Sequence, residues 1–174
     1  MDTRYQCEHV TTHAGDRLPC MTSDRLLPLL CMTEIMDAEV IAVDEAQFFP
    51  DLVRHDSHIH PWHVYYWDES TETCLLMQVD FVTSAAEEHS RTVVVAGLDG
   101  DYQRQRFGQI LDLVPLADCI TKLSGKCHFC EAKSLFSLRV VADDRQELIG
   151  GVDKYVPTCR HHYVQLASTR LTHD

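Results

Sequence analysis

Two short runs of apolar, mostly β-branched residues dominate the pattern of apolar and polar positions along the chain. Val40-Ile41-Ala42-Val43 runs directly into Asp44-Glu45, and Thr92-Val93-Val94-Val95 runs into Ala96-Gly97-Leu98-Asp99-Gly100. Short apolar runs bounded by acids and glycine predict buried strands of a parallel sheet. Between parallel strands an α/β chain places crossover helices, and ligands gather at the carboxyl ends of the strands. Both acidic strand ends therefore point to one site. From about Lys122 the pattern changes to short strands and turns with Cys and His at regular spacing, which predicts a second, small module with its boundary near Leu123.

Residues 55–80 fit neither half. They carry four of the eleven histidines and both tryptophans, with no helical or alternating period. With these 26 residues left out, Leu52-Val53-Arg54 joins Phe81-Val82-Thr83-Ser84-Ala85-Ala86, and apolar positions recur at spacings of three and four. One amphipathic helix is then predicted across the join, and 55–80 reads as an insertion, of the kind that a translated intron would produce. The expected organisation is an α/β domain over 1–122 interrupted by 55–80, a small module over 123–164, and a frayed polar tail over 165–174.

Composition narrows the class. The chain has 174 residues, with 45% hydrophobic and 24% charged residues, ordinary for a globular domain. Fifteen Lys and Arg against 27 Asp and Glu leave a formal charge of −12, which argues against a nucleic-acid or anionic-membrane partner. The longest uncharged run, Ser57 to Trp67, has 11 residues, short of the roughly 18 that a membrane span requires. Met1-Asp2-Thr3-Arg4-Tyr5 is polar and acidic where a secretory signal would be basic and then apolar. A reducing compartment, cytosol or nucleus, is expected, so the eight cysteines read as metal ligands or free thiols.

Spacing selects among those cysteines. Cys127-x₂-Cys130 and Cys159-x₂-His162, separated by 28 residues, can supply four ligands to a tetrahedral zinc. A closed shell of that kind is structural. His128 and His161 lie nearby as alternatives, with the x₂ spacing favouring His162. The second chemical signal is Asp44-Glu45-Ala46-Gln47 at a strand end. Paired acids there can divide the work, one holding Mg²⁺ and the other accepting a proton from an attacking hydroxyl; taken alone, two acids after a strand more often mark a solvated loop or a helix N-terminus.

Longer motifs carry a resemblance. Asp44-Glu45-Ala46-Gln47-Phe48-Phe49-Pro50-Asp51, then Ala96-Gly97-Leu98-Asp99-Gly100-Asp101-Tyr102-Gln103-Arg104, Phe107-Gly108, and Glu147-Leu148-Ile149-Gly150-Gly151-Val152-Asp153-Lys154-Tyr155 resemble, in order and distance, the cytosolic zinc-containing thymidine kinases. The second knuckle, Cys-x₂-His, is most similar to plant members. The resemblance implies a P-loop-kinase-like parallel sheet with helices, plus a zinc-ribbon-like β module bearing a lasso loop. It implies transfer of the ATP γ-phosphoryl group to the 5′-hydroxyl of thymidine, giving dTMP in pyrimidine salvage, with ATP, Mg²⁺ and structural Zn²⁺ as cofactors. Glu45 would be the general base, Asp44 the Mg²⁺ acid, and Ala46 and Gln47 would lie beside the nucleotide. Asp2, Thr3 and Arg4 would belong to the phosphate side of the ATP site. Phe48, Leu98, Tyr102 and Phe107 would line the thymidine pocket. Gln146, Glu147, Leu148, Ile149 and Gly150 would form the lasso, with Tyr155 closing over the base. A cytoplasmic homo-oligomer, tetrameric in the family, is also implied.

The departure from the family pattern lies at the phosphate cradle. No G-x-x-x-x-G-K-[ST] motif occurs in the 174 residues; Ser124-Gly125-Lys126-Cys127 lacks the upstream glycine, with Ile120 in its place. On this reading the sheet lacks its first strand and the following helix, which exposes one sheet face. ATP affinity and γ-phosphate positioning are then expected to fall. The second reading is a catalytically impaired homologue that binds nucleoside or assembles with intact kinase subunits.

Overall fold

The computed structural model describes residues 9–11, 15–53, 64–68, 73–77 and 80–170. The chain forms two compact units, one made of Ser23–Asp99 with Phe107–Asp118, the other of Gly100–Arg106 and Cys119–Asp174 with the N-terminal segment to Thr22.

In the first unit, Val40–Val43 pairs in parallel with Thr92–Val95, Val40 opposite Thr92 and Val43 opposite Val95. Both predicted strands are present. Burial alternates along them instead of covering both faces: Ile41 and Val43 are buried, while Val40 and Val94 are 59% and 53% exposed. A parallel strand is covered on both faces only when helices lie on both. Among the described residues one face of this pair has such cover. The core on that side gathers Ile41, Val43, Leu26, Leu52, Phe81 and Leu113. The extended parallel sheet expected from the sequence thus appears here as one parallel pair, and every sheet among the described residues is two-stranded.

The connection between the strands contains short helical turns. Asp80 caps the Phe81–Thr83 turn, its carboxylate accepting the Thr83 N–H at 2.7 Å, and the helix widens into a π turn over Ser84–Glu88. Phe81 N–H donates to the Asp51 carbonyl and Val82 N–H to the Leu52 carbonyl, each at 3.4 Å. With 55–80 left out of the count, both bonds join residues four apart, the ladder spacing of an α-helix. Leu52, Phe81 and Ala85 are buried together, but in place of one helix across the join the described residues show turn and bend at Asp51–Val53 and the short helical turns from Phe81. Within the intervening segment, Val64–Asp68 pairs antiparallel with Thr73–Met77. No alternation announced these strands; aromatic and β-branched residues suit a pleated backbone without it.

In the second unit, Phe136–Arg139 pairs antiparallel with Tyr155–Thr158, and Gly125–Lys126 with Lys133–Ser134. His9–Thr11 pairs with Arg17–Pro19. The helix Arg160–Arg170 packs Tyr163, Leu166 and Ala167 on Leu138, Val156 and Phe136. The chain from Gln165, read as a frayed tail, is therefore helical to Arg170. Its few apolar residues gain a partner only from strands some 10 to 30 positions earlier, which no local pattern displays. No helix among the described residues is long and apolar enough to cross a membrane.

Candidate functional site

The acidic corner stands at the carboxyl end of Val40–Val43. Asp44 is exposed, and its Oδ1 accepts the Glu45 N–H at 2.9 Å. Glu45 adopts a left-handed conformation, φ 54° and ψ 38°, uncommon for a residue with a side chain. The turn is held from both sides: Ala96 N–H donates to the Val43 carbonyl at 2.8 Å and Ala46 N–H to the Ala96 carbonyl at 3.0 Å. Backbone strain of this kind persists only where neighbours over-determine it, and such positions cluster at functional sites.

Gln47 organises the corner. Its side chain is buried, its Nε2 donating to Glu45 Oε2 at 2.6 Å while its Oε1 accepts the Leu98 N–H at 2.9 Å. The amide therefore ties the carboxylate of one strand end to the backbone of the other. Two glycines make room for it. A Cβ at Gly97 would stand 2.6 Å from Gln47 Oε1, and one at Gly108, where φ is +61°, would fall on the Gln47 carbonyl oxygen. Beside them Phe48, 47% exposed, meets the buried Phe107 edge to face with centroids 5.4 Å apart. Leu98 is also exposed, so the corner offers carboxylates next to apolar surface.

The second unit holds the other predicted substrate residues. Asp101 is buried; its Oδ1 accepts the Gln103 and Gln105 N–H groups at 2.8 Å each, and its Oδ2 accepts Gln146 Nε2 at 2.9 Å. Gln146 Nε2 also reaches the Arg106 carbonyl at 3.1 Å. Tyr102 donates its hydroxyl to the Asp144 carbonyl at 3.3 Å, and Tyr155 donates to the Leu148 carbonyl at 3.0 Å. Glu147 and Ile149 are exposed, and Lys154 lies across Gly150 with its Nζ on the Ile149 carbonyl at 2.5 Å. Asp143 forks onto Arg145, whose guanidinium and backbone N–H hold the carboxyl down to about 2 against a small opposing effect of burial.

Cys127, Cys130, Cys159 and His162 converge. The His162 Nδ1 lies 3.4, 3.6 and 3.4 Å from the three sulfurs, Cys130 Sγ lies 3.9 Å from Cys159 Sγ, and all four ligand atoms fall within 4.8 Å of one another. A zinc with Zn–S of about 2.3 Å and Zn–N of about 2.0 Å has tetrahedral edges of about 3.8 Å between sulfurs and about 3.5 Å between sulfur and nitrogen. The cluster fits such an ion, and His162 rather than His128 or His161 completes it. Burial raises the Cys127 thiol, but the N–H groups of Cys159, Phe129 and Cys130 and the His162 ring outweigh it and bring it down to about 6. Thiolate character of this kind is what a metal ligand requires.

The predicted residues thus form three groups: Asp44, Glu45, Ala46, Gln47, Phe48, Leu98 and Phe107 in one unit; Tyr102, Gln146 to Gly150 and Tyr155 in the other; and the Cys₃His cluster, also there. Asp2, Thr3 and Arg4 lie outside the described residues. Sequence reasoning missed Asp101 and Arg139. Their only local signals were an acid inside a glycine-bounded turn and a lone cation ending an apolar strand.

Fold and site together define a mixed α/β protein with an acidic strand-end corner and a Cys₃His cluster suited to a metal. The family model for thymidine kinase matches residues 1–64 and 62–163. The chain belongs to the thymidine kinase family. It is 39% identical over 180 residues to a thymidine kinase of Oryza sativa subsp. japonica, covering 99% of this chain and 57% of that protein. Thymidine kinase a of Arabidopsis thaliana is 38% identical over 166 residues, with 94% and 59% covered, and the cytosolic thymidine kinase of Gallus gallus is 35% identical over 170, with 98% and 63% covered. The chain therefore spans less than two thirds of the length of each of these relatives.

Proposed function

We propose that the chain works as a thymidine kinase, moving the γ-phosphoryl group of ATP to the 5′-hydroxyl of thymidine to give dTMP and ADP. The observation that carries this reading is the Glu45 corner: a carboxylate fixed by Gln47 at a strand end, next to a second acid and to the Phe48–Phe107 edge. Glu45 takes the proton of the 5′-hydroxyl as its oxygen bonds to phosphorus and the bond to the ADP oxygen breaks. Asp44 would hold Mg²⁺, which when bound neutralises charge on the phosphate oxygens. Phe48, Phe107 and Leu98 give the base apolar faces, the backbone of Gln146 to Gly150 reads its polar edge, and Tyr155 closes over it. Asp2, Thr3 and Arg4 serve the phosphate side. Cys127, Cys130, Cys159 and His162 hold a structural zinc. Exposed Leu116, Ile120 and Leu123 support the homo-oligomer that the family resemblance implies.

The test is phosphoryl transfer from labelled ATP to thymidine by the purified chain and its Glu45→Gln variant. The variant is expected to lose about a hundredfold or more in kcat with thymidine affinity kept, because it removes the proton acceptor and keeps the shape. Equal, measurable turnover in both would remove Glu45 from that role, and no turnover in wild type with thymidine still bound would favour the catalytically impaired homologue. A wild-type chain that binds no thymidine would overturn the substrate assignment.

A further inference from the structure

Among the described residues, the least exposed large side chain of the second unit is a cation. Arg139, at the end of the Phe136–Arg139 strand, has 0% of its surface exposed, and no carboxylate pairs with it in the hydrogen-bond pattern of the described residues. Its hydrogen bonds go to carbonyl oxygens and a tyrosine hydroxyl and its faces to aromatic rings, with the Asp143 carboxylate close enough to attract its charge. Nη1 donates to the Asp143 carbonyl at 2.7 Å and the Arg145 carbonyl at 2.5 Å, and Nη2 donates to the Gln146 carbonyl at 3.1 Å and the Tyr155 hydroxyl at 2.6 Å. That hydroxyl passes the order on, donating in turn to the Leu148 carbonyl. One face of the guanidinium lies over the Tyr102 ring at 3.6 Å from its centroid, and the Tyr155 ring is 5.2 Å away. Nε is buried without a partner.

Burying a cation in this way is costly, and the residue is held because the backbone around it has turned its carbonyls inward. Three carbonyls from Asp143 to Gln146, and a fourth through Tyr155, converge on one planar fork. A planar fork spreads five N–H donors over separate acceptors and keeps a face to stack on a ring; an ammonium has three donors on one atom and no face to stack.

We propose that Arg139 is the positioning residue of the 143–148 loop, setting by its guanidinium fork the loop shape that receives the nucleoside base. The inference rests on the reading of Gln146 to Gly150, which this loop runs into, as the base-binding segment. Arg139 touches no reacting atom; it acts through the loop backbone, through Tyr155 and through Tyr102. Because Tyr102 and Tyr155 spend a ring face or a hydroxyl on Arg139, their side chains also belong to this support.

The experiment compares wild type, Arg139→Lys and Arg139→Met as zinc-replete full chains. Hydrogen exchange at residues 143–148 reads the loop, zinc content and exchange in the Arg160–Arg170 helix read the fold, and equilibrium binding of labelled thymidine reads the site. Loss of the fork is expected to speed loop exchange by about tenfold or more, since each carbonyl–guanidinium bond is charge-assisted. Thymidine binding should weaken by a similar factor, with zinc and helix protection kept. Lys should fail to rescue either. Unchanged loop exchange in Arg139→Met, or full rescue by Lys, overturns the proposal. Faster loop exchange with unaltered thymidine binding also overturns it. A wild-type chain that binds no thymidine would defeat the functional reading instead, and loop exchange would still decide whether Arg139 sets the loop.

Discussion

Glu45 illustrates how much a single residue depends on its neighbours. Its left-handed backbone is tolerated because Asp44 accepts its N–H and Gln47 donates to its carboxylate, and Gln47 in turn fits only because Gly97 and Gly108 lack a Cβ. The acids were legible in the sequence as a pair; their support was not, since Leu98 lies 51 positions from Gln47. Asp143 yields a pH prediction at this scale. Its ordinary value is 3.8 and Arg145 lowers it to about 2. A depressed carboxyl favours the folded loop above the unfolded value, and that contribution is lost as pH falls through the folded value. An NMR titration of the Asp143 carboxyl should therefore show a midpoint near 2, moving up to the ordinary range in Arg145→Ala. A wild-type midpoint near 3.8 would mean that the fork with Arg145 does not form in solution.

At the scale of elements, the most informative feature is the junction of Asp51 and Leu52 with Phe81 and Val82. The bonds from Phe81 to Asp51 and from Val82 to Leu52 have the i to i+4 spacing of a helix ladder once residues 55–80 are left out of the count. We infer that the segment is an insertion and that joining Arg54 to Phe81 leaves the ladder intact. The deleted chain should keep or raise its thermal midpoint and gain solubility, since a long loop costs closure entropy. A fall of more than about 3 °C, corresponding to about 1 kcal/mol in a chain of this size, would show that 55–80 contributes packing of its own. The strand pair within it, Val64–Asp68 with Thr73–Met77, escaped the sequence reading because neither strand alternates. The helix Arg160–Arg170 escaped because only Tyr163, Leu166 and Ala167 mark its apolar face.

For the molecule as a whole, the two units differ in what holds them. The first has an apolar core running from Leu26 to Leu113, whereas the buried apolar cluster of the second consists of Leu138, Val156 and Tyr163. So small a core rarely suffices alone, and a metal bound at Cys127, Cys130, Cys159 and His162 would tie the Arg160–Arg170 helix to the preceding turns. Chelation of the purified chain should release about one zinc per molecule and abolish hydrogen-exchange protection in that helix, while protection of Val40–Val43 persists. A helix equally protected after metal removal would show that its apolar contacts are enough. The sequence by itself determined the two parallel strands with their acidic ends, the Cys₃His ligand set and the family motifs, because each is written in local spacing: a run of β-branched residues, an x₂ interval, a glycine next to an acid. Only the tertiary structure decided that Gln47 joins the two strand ends and that Arg139 gathers the carbonyls of a loop. Those outcomes depend on which distant residues the fold brings within hydrogen-bonding distance, and on which groups burial then leaves needing a partner.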